Sequence, residues 1–256
     1  MAIKQYNYNK FAKHYDVLEL KAKEDYEKIN DFLNRIFKKN RIKNVLDMTC
    51  GTGAQAIGLS KRGYKVTASD ISKAMLNIAE KKAKDAGVKI KFYRGDIRTS
   101  QFGKFDAVIA IFNAVGHLSK KDFEKAIKNV SKNLNKSGLF IFDIFNLDFM
   151  KAGGFINYKY IDRAIEHEGM KYVRFNKNKI NLKKGIMGIN QETYIQKGIG
   201  NPQLYTENWD MQIYSIDELK KLLKKNGFKI LNFYNDSGNK FIRNKSLFIF
   251  TIAKKV

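Results

Sequence analysis

The chain reads as an α/β protein: a doubly wound, mostly parallel sheet of seven strands that carries an antiparallel β insertion. Three observations predict this. Short apolar runs alternate with amphipathic helices as far as about residue 144. An aromatic, β-branched stretch without helical periodicity follows, over 151–214. One more helix and two more strands complete the chain.

The elements follow in order. Tyr26, Ile29, Phe32, Leu33, Ile36 and Phe37 recur at helical spacing and predict a helix over about 24–39. Val45-Leu46-Asp47-Met48 is a short buried strand, residues 54–62 a helix stopped by Gly63, and Tyr64–Ser69 a second strand. Ser72 caps a helix that carries Met75, Leu76, Ile78, Ala79 and Ala83 and closes at Gly87. Val88–Tyr93 and Phe105–Ile111 are the third and fourth strands. Ser119 with Asp122 resembles a capping box opening a helix through Leu134, with Gly138 ending the turn before a fifth strand, Leu139–Ile144. Within 151–214, the segments Tyr172–Phe175, Ile186–Ile195 and Leu204–Ile213 are strand-like and separated by Gly, Asn and Lys turns. Ser215 and Glu218 form a capping box, Gly227 closes that helix, and Phe228–Tyr234 and Leu247–Ile252 add two strands at the sheet edge. The expected division is a core of 1–150 and 215–256, with a helical N-terminal flap, and an insertion of 151–214.

Composition narrows the function. With 256 residues, 44% hydrophobic and 29% charged, disorder and fibrous classes are excluded. No run of 18 apolar residues spans a membrane, and Met1–Lys10 has no apolar core of a secretory signal. A single cysteine, Cys50, excludes an intramolecular disulfide or a multi-cysteine zinc site, which fits a reducing cytoplasm. The formal net charge is +24, a field that attracts phosphates and nucleic acid. Lys accounts for 41 of the 49 basic residues, however, and Lys, Asn and Ile together for 93 of the 256 positions. These are amino acids of adenine- and thymine-rich codons, and specific nucleic-acid recognition favours Arg forks. The charge is read as a composition effect.

The chemistry concentrates after the first strand, in Asp47-Met48-Thr49-Cys50-Gly51-Thr52-Gly53-Ala54. Gly51 and Gly53 allow a tight turn and a ligand close to the backbone, with helix N-terminal amides facing it. A carboxylate at Asp47 repels a pyrophosphate but suits an ammonium group. Asp70 ends the second strand, where a carboxylate takes ribose hydroxyls. Gly95-Asp96-Ile97 follows the third, where a carboxylate accepts from an adenine amino group. Three acids at three successive strand ends fit a ligand with an amino acid end, a ribose and an adenine: S-adenosyl-L-methionine (SAM).

On these residues the chain resembles the class I SAM-dependent methyltransferases, whose fold is Rossmann-like; the match covers about 41–150 and 215–256. Asp47–Gly53 is similar to the first family motif, Asp70 to the ribose acid, and Gly95-Asp96-Ile97-Arg98 to the adenine motif. The resemblance adds Ile71, Met75, Ile111 and Phe112, with Thr49 and Cys50 of the loop, to the cofactor contacts. Tyr8-Asn9-Lys10-Phe11-Ala12-Lys13-His14-Tyr15-Asp16, the stretch from Phe105 to Ala114-Val115-Gly116-His117-Leu118, and the insertion resemble small-molecule N-methyltransferases of the glycine and aminosugar type. It implies that Tyr15 lies over the reactive methyl and that His117 lies across the pocket. Tyr8, Asn113, Asp143, Asn146, Arg174 and Trp209 are the candidate acceptor contacts, Arg174 as a receiver of a substrate anion.

Ile111-Phe112-Asn113-Ala114 lacks the Asp/Asn-Pro-Pro-aromatic motif of methyltransferases that act on base amines, and Cys50 is misplaced for a carbon-5 cytosine nucleophile. The expectation is therefore a SAM-dependent methyltransferase with a small acceptor, at an amine nitrogen, without metal, specific nucleic acid or membrane partner. An imidazole with pKa near 6.5 takes an ammonium proton, which makes His117 the candidate base. Two alternatives stay open: an RNA or protein methyltransferase guided by the basic surface, and a non-catalytic binder of the same fold.

Overall fold

Val45 and Leu46 point to opposite faces of one strand, and both are fully buried, so that strand has to lie inside a sheet covered on both sides. The computed structural model, which describes residues 3–19, 23–155 and 158–256, shows this arrangement. The N-terminal segment comprises α1 (Tyr8–Phe11), a 3-10 turn (Ala12–His14) and α2 (Tyr15–Glu19). The core then alternates: α3 (Lys23–Lys39), β1 (Asn44–Asp47), α4 (Ala54–Lys61), β2 (Lys65–Asp70), α5 (Lys73–Asp85), β3 (Lys91–Arg94) and β4 (Phe105–Ala110). A 3-10 turn (Ala114–His117), α6 (Lys120–Asn133), β5 (Leu134–Phe145) and α7 (Leu147–Lys151) follow. The insertion is β6 (Lys159–His167), β7 (Met170–Asn181), β8 (Ile186–Lys197) and β9 (Gln203–Gln212); α8 (Ile216–Lys225), β10 (Phe228–Tyr234) and β11 (Phe248–Lys255) complete the chain.

The seven-stranded sheet has the order β10-β11-β5-β4-β1-β2-β3. β1 to β5 run parallel; β11 is added antiparallel beside β5, and β10, antiparallel to β11, runs again in the direction of β1 to β5. Alternate residues feed two cores. Leu46, Val108, Phe140 and Phe142 pack on Phe123 and Ile127 of α6 and on Leu219 and Leu223 of α8. Val45, Ile109 and Ile141 pack on Leu33 and Phe37 of α3, Leu59 of α4 and Leu76 of α5. Each fully buried Leu, Ile or Phe contributes roughly 1.5–3 kcal/mol. Strand order reverses between β1 and β4, which opens a crevice at the carboxyl ends of these strands.

Helix starts follow local chemistry. Ser72, Ser119 and Ser215 accept from the amides of Met75, Asp122 and Glu218, and Ser215–Glu218 closes a full capping box. Two elements differ from the sequence expectation. α6 ends at Asn133, and β5 begins at Leu134, before Gly138. Gly138 answers to crowding: a Cβ there would meet Leu134, Asn135 and Asp106 at 3.0–3.2 Å. The insertion sheet has the order β6-β7-β8-β9, all antiparallel, and β6 was not among the segments expected. Its half-buried Asp162 and Arg163, beside a register shift, hide the two-residue alternation. A parallel bridge between Asn146 and Tyr214 joins the two stems of the insertion to the core. No helix of the described residues is long and apolar enough to cross a membrane.

Candidate active site

β1 delivers Asp47 to the crevice, and the chain then turns back over itself into α4. Gly51 and Gly53 take φ of 51° and 87°, which L side chains resist. A Cβ on Gly53 would also meet Ala79 Cβ at 3.1 Å and Ile57 Cδ1 at 3.2 Å, so this glycine lets α4 pack on α5. Gly51 faces open space.

Asp70 organises the loop: its carboxylate accepts from Gly51 N at 2.8 Å and from Ser72 N at 2.9 Å. Asp47, 2% exposed, accepts from Thr49 N at 3.3 Å. Burial drives both carboxyls upward, and Asp70 adds repulsion on Asp47, whose pKa rises to about 7. Among the described residues, no cation pairs with either acid. Met75 is buried in the first turn of α5, and Ile71 stands exposed at the lip. Cys50 is buried and its thiol is pushed up by burial, so it packs the loop and is not a nucleophile.

Gly95 follows β3, with its N bonded to Asp70 O and Phe102 and Ser100 too close for a Cβ. Asp96 differs from a free acceptor. Arg98 Nε and Nη2 grip its carboxylate at 2.6–3.0 Å, which holds its pKa below the usual range. Ile97 is buried beneath it. At the end of β4, Ile111 is buried, and Phe112 and Asn113 take left-handed φ of 64° and 54°. Two such non-glycine residues in succession need external support. Asp143 supplies it, accepting from Asn113 N at 3.0 Å; burial raises its pKa to about 7.

The N-terminal segment lies over this crevice. The Tyr8 hydroxyl and His117 Nε2 are 2.7 Å apart, and Gln5 Nε2 donates to His117 O. An aromatic row continues from Tyr8 to Tyr6 (4.8 Å between ring centres) and from Tyr6 to Trp209 of β9 (4.7 Å). Tyr15 sits 6.1 Å from Tyr8 and feels Asp70; burial and the acids Glu19, Asp70 and Asp16 keep its phenol protonated. Asn9 accepts from Ser72 Oγ at 2.7 Å, and Asp16 accepts from Thr52 Oγ1.

The structure thus brings together Asp47, Asp70, the glycine loop and Tyr15, and beside Tyr15 the row of Tyr8, His117 and Trp209. Several expectations are corrected. His117 is not an imidazole of ordinary basicity: burial lowers its pKa to about 4, and its Nδ1 is buried without a partner. Arg174 is not free for a substrate anion, because its guanidinium pairs with Glu19 of α2 and Asp162 of β6. Asn146 caps α7 and donates to Arg243 O and Ser246 O. Asn113 accepts from Phe145 N and contacts Met211 Sδ, and with Asp143 it serves the loop's conformation. Asp16, Thr52 and Glu19 received no role from sequence, since their partners lie 36 to 155 positions away. A groove of about 790 Å³, lined by Lys65, Lys91, Phe92 and Phe105, lies at the other end of the strands and holds none of these residues.

Residues 45–138 match a family model described as a methyltransferase domain. A solved SAM-dependent methyltransferase from Clostridium acetobutylicum superposes with a TM-score of 0.81 at 25% identity, over 97% of this chain and 98% of that one. An uncharacterised protein of Methanocaldococcus jannaschii is 30% identical over 100% of this chain and 92% of its own length. A glycine/sarcosine N-methyltransferase of Parasynechococcus marenigrum is 34% identical over 48% of this chain and 45% of its own. With a glycine loop flanked by buried Asp47 and half-buried Asp70, neither paired with a cation among the described residues, at the switch point of the sheet, these likenesses place the chain among the class I SAM-dependent methyltransferases.

Proposed function

We propose that this enzyme methylates a small-molecule acceptor at an amine nitrogen, with SAM lying over the carboxyl ends of β1, β2 and β3. The observation that carries the cofactor placement is the pair Asp47, buried, and Asp70, half-buried, both hydrogen-bonded by backbone amides alone. Such a pair is stabilised by a ligand that brings positive charge and hydroxyl donors. When bound, SAM supplies a sulfonium methyl open to in-line displacement. Asp70 keeps lone pairs for two ribose hydroxyls, and Asp47 faces the ammonium end beside Thr49, Cys50, Gly51 and Gly53. Ile71, Met75, Gly95 and Ile97 frame the adenine. Asp96, held ionised by Arg98, accepts from its amino group. Ile111 and Phe112 form the floor on the β4 side.

A small acceptor is supported by the roof. The N-terminal segment closes over the strand ends and is tied to the insertion through Tyr6–Trp209 and Glu19–Arg174, which leaves a macromolecule no flat approach. The insertion acts as a lid from this position and excludes water from the sulfonium. Likeness to a glycine/sarcosine N-methyltransferase supports nitrogen. Tyr15 orients the methyl; Tyr8 and His117 form one hydrogen-bonded pair that orients the acceptor. A group with pKa about 4 does not collect an ammonium proton at neutral pH, so the acceptor docks as the free amine. The single buried thiol fits a reducing cytoplasm. The test is release of S-adenosylhomocysteine (SAH) across metabolite amines, aminosugars and phenols. Turnover with at least one amine is expected; turnover restricted to RNA or protein overturns the proposal.

A further inference from the structure

We infer that Asp16 is a positioning residue that latches the N-terminal segment to the cofactor loop, so that cofactor exchange has to break its bond to Thr52. The inference rests on the cofactor site proposed above. Its ground is a bridge. One carboxylate oxygen of Asp16 accepts from Thr52 Oγ1, and the other pairs with Lys82 Nζ of α5 at 2.6 Å. Thr52 is 2% exposed and sits between Gly51 and Gly53. The adjacent Gly51 amide is the one that Asp70 holds. A single side chain therefore joins the segment carrying Tyr15 to the loop that presents Asp47 and to the helix that follows Asp70.

The segment depends on such tethers. α2 has five residues, and a helix that short has no stability of its own in water. Its other anchors lie away from the loop. Asn9 accepts from Ser72, Glu19 pairs with Arg174, and Arg163 Nε donates to Leu18 O at 3.1 Å. Among the hydrogen bonds of the described residues, the Asp16–Thr52 contact alone ties this segment to the glycine loop. Tyr15 precedes Asp16 directly and inherits its position, so the latch also holds the ring that lies in the field of Asp70.

The test is the dissociation rate of SAH from the full chain, followed by stopped flow, for the wild type, Asp16→Ala, Thr52→Val, the double variant and Thr52→Ser. A hydrogen bond to a carboxylate is worth a factor on the order of ten or more, so each of the first two substitutions speeds release by about tenfold. Both break the same bond, so the double variant releases no faster than the faster single one. Thr52→Ser keeps the hydroxyl and releases at the wild-type rate. A role confined to folding would lower the melting temperature and leave these rates alone, which overturns the inference. Rates that multiply in the double variant overturn it too. If the wild type binds no SAH, the cofactor-site reading fails and the inference falls with it; if the wild type binds and the variants match it, the latch alone fails.

Discussion

Replacing Asp47 with Asn tests the cofactor reading through the stability of the free protein. Folding raises this carboxyl from its ordinary 3.8 to about 7. A carboxyl shifted upward in the folded state carries no penalty below about pH 4, where both states hold its proton. The penalty grows as pH rises and is complete above about pH 7. Near pH 8 its upper bound is about 4 kcal/mol. Asn is isosteric, and its amide oxygen still accepts from Thr49 N. Asp47→Asn should therefore stabilise the free protein near pH 8 by about 2 kcal/mol, since burial of the amide offsets part of the gain. The gap should close as pH falls towards 4. SAH affinity should fall at the same time, so a saturating amount should stabilise the wild type more than the variant. Urea unfolding followed by circular dichroism at several pH values, with and without SAH, reads all of this. A variant no more stable than the wild type near pH 8, or a difference that does not vary with pH, would refute the reasoning.

Three further substitutions address separate parts of the site. Asp70→Ala should lower SAM affinity at least about tenfold by calorimetry, because it removes the proposed ribose acceptor and releases Gly51 N. His117→Asn should lower turnover by less than about tenfold, against the 10²–10⁴-fold typical of a general base, if the pair with Tyr8 orients the acceptor as proposed and takes no proton. Gly53→Ala should cost roughly 1–3 kcal/mol of stability by chemical denaturation, because φ of 87° and the 3.1 Å approach to Ala79 both resist a methyl group.

What the sequence made legible was local or periodic. Ser72, Ser119 and Ser215 cap helices through amides three residues on, so their roles needed no tertiary information. Asp47, Asp70 and Asp96 could be aligned because a parallel sheet puts successive strand ends on one side. What stayed hidden depended on partners remote in the chain. Arg174 reads as a lone basic residue on a strand until Glu19 arrives from 155 positions away. Asp143 reads as an acid near a pocket until the left-handed Phe112–Asn113 turn shows what it holds. His117 was correctly placed in the loop after β4. Its basicity was not legible, because desolvation belongs to the packing of Tyr8 and Gln5 around it and not to the residue.

Five titratable groups around the crevice share one consequence of that packing. Burial pushes Asp47 and Asp70 up, lowers His117, and keeps Tyr8 and Tyr15 protonated. Each of these five groups moves towards its uncharged form, the expected response to burial, whereas the Arg98 grip holds Asp96 the other way. In the proposed site, a sulfonium meets little competing charge and favours the ionised forms of Asp47 and Asp70. An acceptor carrying its own positive charge would be repelled by that sulfonium. A neutral amine avoids that repulsion, and its lone pair is already free to attack. On the proposed reading, an amine acceptor loses its proton in solution before it docks, and the Tyr8–His117 pair aims the nitrogen rather than deprotonating it.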